Sequence, residues 1–516
     1  MDVSISTVGV AFGVKSWCIN LAGILGLIWF LYTIIYNLYW TSLKRFPGPL
    51  LWKVSRIPAQ LSLLRGFSHL DVTALHERYG PIVRIGPNEL AFNTPQAFRD
   101  IYVTRSGKCF PKARSYYPLP VNGVEPVSVA VEDDVHARQR RLLSYGFSDR
   151  ALREQEGLIM GFVNTLIERL TGEVEKGSGE AKVDIKEWMN FATFDITGEL
   201  TFGESFNCLQ DSELHPWIGV IFKSIKQGSY LIVAGQFPWA QKLLVKMIPQ
   251  RLMQKAFDHF NLSSRKADRR LANKTSRPDF MSAILKGGLS EEPGVYRGPE
   301  KIMSRDEVHS NALMLILAGS ETSATLLSGC VYYICRHPTV LRKLKKEVRS
   351  FIIGDQDITM DKTSKLPYLA AVIEETLRLY PPVAAGLRRI VPKGGATIDK
   401  YLVPGDTIVS CHQYASFHSS SNFAYPEDFI PERWLGIDPR FDDDKRAALQ
   451  PFSLGPRNCP GKNLAYSEVR LILCKLLFNF DVELRSECTN WIAQESYFLW
   501  DKPALWVTLK ERIAST

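Results

Sequence analysis

The chain has 516 residues, of which 45% are hydrophobic and 11% aromatic, enough for the large core of a one-domain enzyme. A net charge of +9 without a nucleic-acid motif excludes a nucleic-acid-binding role and favours an acidic protein partner or an anionic membrane surface. The nine cysteines contain no Cys-x-x-Cys pair, which excludes the usual zinc motif and indicates a reducing, cytosol-facing domain.

The N-terminal region contains an uncharged run from Trp17 to Trp40 that is long enough to span a membrane as a helix. Tyr and Trp concentrate near its C-terminal end, as in an interfacial belt. Lys44 and Arg45 follow, so the positive-inside rule predicts that residues 1–16 are a short lumenal segment and that the rest of the chain is cytosolic. The alternative is a cleavable signal peptide. The length of the run and the lack of a following small-residue cleavage site favour a retained single-pass anchor.

Residues 41–52 form a basic, proline-containing hinge, because the Phe-Pro-Gly-Pro segment at 46–49 ends any helix and stiffens the chain. Residues 53–516 are the predicted catalytic domain. Within it, residues 79–87 are predicted to form a strand pair bounded by turn residues.

A basic helical stretch is predicted at residues 133–148. His136 and Arg140 are four residues apart and therefore share one face of this helix. Arg138 and Arg141 are predicted to lie on a solvated basic face.

A long helix is predicted to begin at the capping box of residues 304–307 and to end at the His-Pro pair of residues 337–338. It contains the hexapeptide Ala-Gly-Ser-Glu-Thr-Ser at 318–323, where hydroxyl groups can bond back to carbonyls and bend the helix. The resulting opening would leave room for a diatomic ligand, and the acid–alcohol pair Glu321 and Thr322 could relay protons from solvent. The alternative is an ordinary glycine kink with an exposed glutamate.

A second helix is predicted between the proline at 367 and the pair of prolines at 381–382. Glu375 and Arg378 are three residues apart in this helix and can pair, and a Pro-Glu-Arg-Trp segment with Arg433 follows about fifty residues later. Residues 382–392 are predicted to be an extended strand. Two further strands are predicted at 480–484 and 504–509.

The most informative segment is residues 452–461, Phe-Ser-Leu-Gly-Pro-Arg-Asn-Cys-Pro-Gly. An apolar-periodic segment follows, so Cys459 lies near a helix N-terminus, where the dipole and free N–H groups favour a thiolate. Arg457 is a planar cation suited to pairing a carboxylate, and the flanking glycines allow a flat ligand to approach the backbone. The alternative is a buried structural cysteine, which five matched positions within ten residues disfavour.

This Phe-x-x-Gly-x-Arg-x-Cys-x-Gly pattern resembles the haem-binding signature of the cytochrome P-450 monooxygenases. The acid–alcohol pair, the Glu-x-x-Arg segment, the Pro-Glu-Arg-Trp segment, the anchor and the hinge extend the resemblance over essentially the whole chain. It implies a mainly α-helical fold with small β-sheets that encloses haem b between two helices.

The resemblance also implies residue roles. Cys459 would be the axial ligand of the haem iron, with further cofactor contacts from Phe452, Arg457 and Gly461. Contacts to the haem propionates are implied for His136, Arg140 and Arg389. Proton delivery is implied for Glu321 and Thr322, and a buried supporting triad for Glu375, Arg378 and Arg433. The residues implied to face the substrate are Val383, Ala384, Ala385 and Leu387.

Short sequence segments elsewhere in the chain resemble those of fungal secondary-metabolism members of the family, including trichothecene hydroxylases. This implies O2-dependent hydroxylation or epoxidation of an apolar terpenoid or polyketide at the endoplasmic reticulum membrane. Electrons would come from an NADPH-dependent reductase, because the chain has no flavin- or nicotinamide-binding glycine pattern. Two alternatives stay open: a haem-thiolate isomerase or dehydratase that needs no reductase, and a non-enzymatic haem or lipid carrier.

Overall fold

A computed structural model of the chain describes residues 4–103, 109–213, 215–247, 249–273, 277–298 and 301–512. The α-helices of eight or more residues are Ser4–Ile35, Ile57–Leu64, Ser68–Tyr79, Pro95–Tyr102, Asp133–Ser144, Asp149–Lys176, Ile185–Phe202, Pro216–Gly235, Gln250–Ala272, Arg305–Arg336, Pro338–Phe351, Pro367–Leu379 and Lys462–Asn479. The shorter α-helices are Leu50–Val54, Cys208–Asp211, Gln241–Lys246, Ser282–Gly287, Met360–Ser364 and Gln413–Phe417. A π-helical turn covers Tyr36–Trp40. Single 3-10 turns are Arg114–Tyr116, Tyr145–Phe147, Asp355–Asp357, Pro431–Trp434, Pro439–Phe441, Arg446–Ala448 and Ser486–Cys488.

The β-structure consists of small sheets. The largest has the strand order Ile82–Gly86, Glu89–Phe92, Ile408–Cys411 and Arg389–Ile390, and only its middle pair is parallel. A three-stranded antiparallel sheet has the order Phe480–Leu484, Trp506–Glu511 and Glu180–Asp184. Two-stranded ladders join Leu289–Ser290 to Met303–Ser304 and Ala396–Ile398 to Tyr401–Val403. The predicted mainly α-helical fold with small sheets is confirmed.

Strand boundaries differ from the predictions at three places. The second strand of the predicted pair at 79–87 begins only at Glu89. Within 382–392 only Arg389–Ile390 pairs in a sheet, and the residues before it are irregular. The C-terminal strand begins two residues later than predicted, at Trp506, because the Leu505 N–H donates to the Asp184 side chain at 2.8 Å and not to a neighbouring strand.

The helix Arg305–Arg336, called the central helix here, runs through the largest hydrophobic core. Its predicted capping box is confirmed: the Glu307 N–H donates to Ser304 Oγ at 3.1 Å, and the Ser304 N–H donates to Glu307 Oε2 at 3.0 Å. A Cβ atom at Gly319 would lie 2.8 Å from Cγ2 of Thr197, so this glycine allows the helix Ile185–Phe202 to pack closely. The predicted hydrogen bonds from hydroxyl groups back to carbonyls are present: Ser320 Oγ donates to Ile316 at 2.8 Å and Thr322 Oγ1 donates to Ala318 at 2.6 Å. The helix continues through residues 318–323, and the opening beside it stays a prediction.

The N-terminal helix begins at Ser4, upstream of the predicted start at residue 17, and continues to Ile35. The segment Gly23–Trp40 covers the end of this helix and the π-helical turn after it. It has a mean hydropathy of 1.4 and is only 6% buried, so its apolar side chains face outwards. The central helix has a similar mean hydropathy of 1.3, but 72% of it is buried. The two segments are therefore distinguished by burial: the central helix is a core helix, and Gly23–Trp40 is the candidate membrane span.

Candidate active site

The cysteine loop, residues 452–461, leads directly into the helix Lys462–Asn479. The Cys459 N–H donates to the Phe452 carbonyl at 2.9 Å and closes the loop. At Gly455, where φ is +73°, a Cβ atom would lie 2.2 Å from the Tyr102 carbonyl oxygen. This glycine therefore allows the backbone of Tyr102 to approach the loop, whereas the sequence predicted that it makes room for a flat ligand. Gly461 is the N-cap of the helix, and a Cβ there would be 4.0 Å from the Cys459 sulfur.

The Cys459 side chain is exposed, and its thiol is partly desolvated by the protein groups beside it. Burial raises the pKa of the thiol, while the Gly461 N–H and the nearby cations Arg140 and Lys462 oppose that rise. Both observations fit a sulfur on a concave inner surface of the protein, where a ligand can reach it. Helix-start N–H groups and the two cations favour its anionic form.

Five basic side chains near this loop interact electrostatically and are called the cationic cluster: Lys112, His136, Arg140, Arg389 and Arg457. Burial and the four other members lower the pKa of His136 to about 3. Burial, Arg389 and Arg457 hold the pKa of Lys112 well below its usual range. The cluster therefore concentrates positive charge that the protein itself compensates poorly. Lys112 lies in no recognisable sequence motif, so the sequence analysis did not predict its place in the cluster.

The members of the cluster are held by specific contacts. Arg457 donates to the Asp133 carboxylate at 2.8 Å and to the Val131 carbonyl at 2.9 Å. Arg140 donates to the carbonyl and side-chain oxygens of Asn458, at 2.6 and 2.9 Å, and so anchors the residue before the cysteine. Among the described residues, the buried Nε atoms of Arg389 and Arg457 have no hydrogen-bond partner.

The remaining loop and helix residues occupy defined places. The Phe452 ring packs on Tyr466, with 5.2 Å between centroids. Arg138 is not on a solvated face, as the sequence suggested, because it donates to both oxygens of Glu307 at 2.7 and 3.0 Å. Glu307 lies at the start of the central helix. It is so far from Arg138 in the sequence that the contact between them could not be predicted. Arg141 is exposed, as predicted.

Comparison with known proteins identifies this arrangement. Residues 46–507 match the family model described as cytochrome P450, written P-450 here. The chain belongs to the cytochrome P-450 family. It is 42% identical to the cytochrome P-450 monooxygenase astJ of Aspergillus oryzae, over 94% of this chain and 95% of that protein. It is also 42% identical to the trichothecene C-15 hydroxylase of Fusarium sporotrichioides, over 95% and 98% of the two chains, and to the averantin hydroxylase of Dothistroma septosporum, over 94% and 90%. The protein is accordingly a haem-dependent monooxygenase.

The described residues fit the cofactor of a P-450 enzyme. Haem presents an iron that accepts a thiolate and two propionate carboxylates that need cations. Cys459 offers a ligand-accessible sulfur. Among the described residues, the one acidic side chain in direct contact with the cationic cluster is the half-exposed Asp133, which pairs with Arg457. The unpartnered Nε atoms of Arg389 and Arg457 are donors that such carboxylates can satisfy.

The predicted acid–alcohol pair lies on the central helix, but its two side chains have different surroundings. Glu321 is fully buried, and its Oε1 lies 2.6 Å from Nζ of Lys502, which also donates to Thr325 Oγ1 at 2.7 Å. Burial raises the pKa of Glu321, and Lys502 opposes that shift. The exposed glutamate of the alternative interpretation is therefore wrong. Thr322 Oγ1 donates to the Ala318 carbonyl at 2.6 Å.

The three residues of the predicted supporting triad are in direct contact and fully buried. Arg378 forms two hydrogen bonds with the Glu375 carboxylate, at 2.8 and 2.9 Å, and Arg433 Nε contacts the same group at 3.0 Å. Sequence reasoning missed two further members. Asp444 accepts from Arg433 at 2.6 Å, and the Trp434 indole donates to Glu375 at 2.9 Å.

Proposed function

We propose that this monooxygenase is anchored in the endoplasmic reticulum membrane and faces the cytosol. In this proposal, residues 1–16 are lumenal, 17–40 span the membrane, 41–52 form the hinge and 53–516 form the catalytic domain. The outward-facing apolar helix supports the anchor, and Lys44 and Arg45 after it support the orientation. The helix begins at Ser4, so the proposed lumenal segment continues the membrane helix without a break.

The observation that carries the site assignment is the accessible Cys459 sulfur beside a cluster of poorly compensated cations. We propose Cys459 as the axial ligand of haem b, with Phe452 and Gly461 lining its side of the cofactor. His136, Arg140, Arg389 and Arg457 would hold the propionates, and Lys112 would join them. When bound, haem supplies the redox and oxygen chemistry that these side chains lack.

Glu321 and Thr322 are proposed to supply protons to dioxygen during the reaction. Lys502 keeps a mobile proton within 2.6 Å of the Glu321 carboxylate, in a region that excludes bulk water. Thr322 offers a hydroxyl one residue further along the helix, which donates a hydrogen bond to the Ala318 carbonyl in this structure. General acid catalysis of this kind contributes about 10²- to 10⁴-fold to a rate.

The proposed substrate is an apolar terpenoid or polyketide of fungal secondary metabolism, which is hydroxylated or epoxidised. The support is similarity to relatives whose names specify trichothecene and averantin as substrates. The proposed electron donor is an NADPH-cytochrome P-450 reductase, because the chain has no flavin- or nicotinamide-binding glycine pattern of its own.

The decisive experiment compares Cys459→Ala with Cys335→Ala in microsomes. Cys335 is a half-buried packing residue, so its replacement controls for general effects of losing a thiol. We expect the reduced, carbon monoxide-bound parent and Cys335→Ala to show the red-shifted Soret band of thiolate ligation, and Cys459→Ala to lack it. An unchanged Cys459→Ala spectrum would exclude this ligand assignment.

The reaction class is tested with the parent enzyme and reductase. A monooxygenase consumes NADPH in a substrate-dependent manner and forms an oxygenated product. An isomerase or dehydratase would form product without reductase, and a carrier would show no substrate-dependent NADPH consumption. Comparing the metabolites of the native fungus with those of a gene-deletion strain then identifies the substrate, which accumulates in the deletion strain.

A further inference from the structure

An aromatic contact leads from the cysteine loop to Tyr466, which lies on the helix that follows the loop. The Cys459 N–H donates to the Phe452 carbonyl at 2.9 Å, and the centroids of the Phe452 and Tyr466 rings are 5.2 Å apart. Both aromatic side chains are partly exposed. Tyr466 is therefore one ring contact and one hydrogen bond away from the residue proposed to bind the haem iron, and solvent can also reach it.

The Tyr466 hydroxyl has a base as its hydrogen-bond partner. It donates to Glu374 Oε1 at 2.6 Å, a length typical of a bond to an ionised carboxylate. Burial raises the pKa of Glu374, while the Tyr466 hydroxyl, Lys462 and Arg470 oppose that rise. The two cations thus favour the anion, and burial makes that anion a readier proton acceptor. The phenol and the carboxylate are arranged to pass a proton between them.

A second tyrosine also packs against the loop but lacks a base. The backbone of Tyr102 approaches so closely that a Cβ atom at Gly455 would lie 2.2 Å from its carbonyl oxygen. The Tyr102 hydroxyl donates to the Leu387 carbonyl at 2.7 Å, and a peptide carbonyl does not take up a phenol proton. Oxidation of Tyr102 would therefore leave a buried positive charge 5.7 Å from the Arg389 guanidinium, which is costly.

We propose that Tyr466 is a redox-active tyrosine, which reduces oxidised haem when no substrate consumes the oxidising equivalents. This inference rests on the proposed function, since it takes Cys459 to be the ligand of the haem iron. The Tyr466 ring gives one electron to peroxide-oxidised haem, its O–H bond breaks, and the proton forms an O–H bond on Glu374. The products are a neutral tyrosyl radical and a protonated glutamate, so no positive charge is left in the protein.

The cycle closes at the protein surface. A small one-electron reductant in solvent, such as ascorbate, returns an electron to the partly exposed Tyr466, and Glu374 returns the proton. Oxidising equivalents that stay at the loop can instead oxidise the Cys459 sulfur, and this damage is irreversible beyond the sulfenic acid. Tyr466 therefore protects the ligand of the cofactor by carrying these equivalents away from it.

Freeze-quench EPR of the full-length ferric holoenzyme, mixed with hydrogen peroxide without substrate, tests the proposal. The parent should show a neutral tyrosyl radical, with a hyperfine coupling from the proton held by Glu374 that disappears in D2O. Tyr466→Phe should lose the signal. Glu374→Gln keeps a hydrogen-bond acceptor but no base, so the radical yield should fall several-fold. The absence of a tyrosyl signal in the parent, or an unchanged signal in Tyr466→Phe, would overturn the proposal.

Tyr368→Phe is the matched control. Tyr368 also donates to a glutamate, Glu432 Oε1, at 2.9 Å, and Lys343 lies 5.8 Å from its ring as Arg470 lies 5.2 Å from the Tyr466 ring. Within the described part of the chain, however, no aromatic ring links Tyr368 to the cysteine loop. Its removal should leave the radical signal as in the parent. Loss of the signal in Tyr368→Phe would contradict the assignment to Tyr466.

Spin trapping in the parent locates the radical without any substitution. A nitroso spin trap bonds covalently to a tyrosyl radical, and peptide mass spectrometry then identifies the modified residue. We expect the adduct on the peptide that contains Tyr466 and none on the peptide that contains Tyr368. Adducts confined to other tyrosines would refute the proposal, and this measurement decides the question even if a variant does not fold.

Bleaching of the Soret band by hydrogen peroxide measures the protection. Ascorbate should slow bleaching in the parent and in Tyr368→Phe, but not in Tyr466→Phe. Equal slowing in all three proteins would contradict a route through Tyr466.

These readouts separate failure of this inference from failure of the proposed function. The carbon monoxide spectrum of the same preparations tests the Cys459 ligand, and product formation with NADPH and substrate tests the monooxygenase. A normal spectrum and normal product without a Tyr466 radical refute this inference alone. A spectrum that lacks thiolate ligation refutes the ligand assignment and, with it, the inference.

Discussion

Two buried glutamates in this protein have very different surroundings. Glu375 accepts hydrogen bonds from two arginines, from the Trp434 indole and from the Ile430 N–H, all within 3.0 Å. Glu321 is just as deeply buried, but Lys502 is its one close cation among the described residues. Burial raises the pKa of Glu321, which makes proton uptake at this carboxylate easier.

The difference separates a fixed charge from an exchangeable one. A carboxylate with many donors is held in one protonation state and one position, which suits the support of a fold. A carboxylate with one lysine partner can gain or lose a proton at lower cost, which suits acid–base chemistry. The sequence predicts a glutamate within a helix in both cases, whereas the number of hydrogen-bond partners in the structure distinguishes the two.

The largest expected effect follows from breaking the Glu375 network. Glu375→Ala leaves two buried arginines short of a counter-charge, and losing one partner of a buried ion pair costs about 3–5 kcal/mol. We expect little haem-loaded protein and a lower free energy of unfolding. Lys365→Ala breaks a solvent-exposed pair with Asp361 and serves as the control, with an effect under about 1 kcal/mol. Normal haem content in Glu375→Ala would show that the network is dispensable.

Glu321→Gln should act on turnover and leave the fold largely intact, because burial lowers the pKa of Lys502, and its neutral amine can still donate to the glutamine oxygen. The relay loses its ionisable member, so we expect turnover to fall about 10²-fold while substrate binding and the carbon monoxide spectrum persist. Thr322→Val should instead lower product formed per NADPH consumed and release peroxide, because the hydroxyl is lost while the shape is kept. An unchanged product-to-NADPH ratio in Thr322→Val would remove the hydroxyl from the proposed relay.

Lys502→Met should make stability depend on pH through Glu321. Without Lys502, the already raised pKa of Glu321 rises further above that of the unfolded chain. Between these two pKa values the native state binds more protons than the unfolded state. Stability therefore falls as the pH rises, by up to about 1.4 kcal/mol per pH unit. Urea unfolding between pH 5 and pH 8 measures the slope. In Lys502→Met combined with Glu321→Gln the added slope should vanish, and its persistence would implicate another group.

The smallest effect on the site is expected from deleting residues 1–40. The outward-facing helix contributes little to the core, so the haem spectrum should form as in the parent. The truncated protein should be released from microsomes in high salt, although exposed apolar side chains such as Leu51 and Trp239 can retain part of it. Failure of the truncated protein to fold would place the anchor within the core.

Features set by neighbouring residues were predictable from the sequence. The capping box at Ser304 and the pairing of Glu375 with Arg378 each depend on residues three apart, so their geometry follows from the helix itself. The apolar run before the hinge and the loop around Cys459 were recognisable for the same reason. The resemblance to the P-450 family then supplied the fold and the cofactor.

Partners brought together from distant parts of the chain were decided by tertiary structure. Lys502 lies just before the C-terminal strand, far from Glu321 in sequence, and reaches it only because that segment folds against the central helix. The same holds for Lys112 in the cationic cluster and for the contact between Arg138 and Glu307. Helical periodicity places a side chain on a face, but burial and charge depend on what packs against that face. The sequence by itself therefore determined the helices, the anchor and the cysteine loop, whereas packing decided which buried charges are balanced.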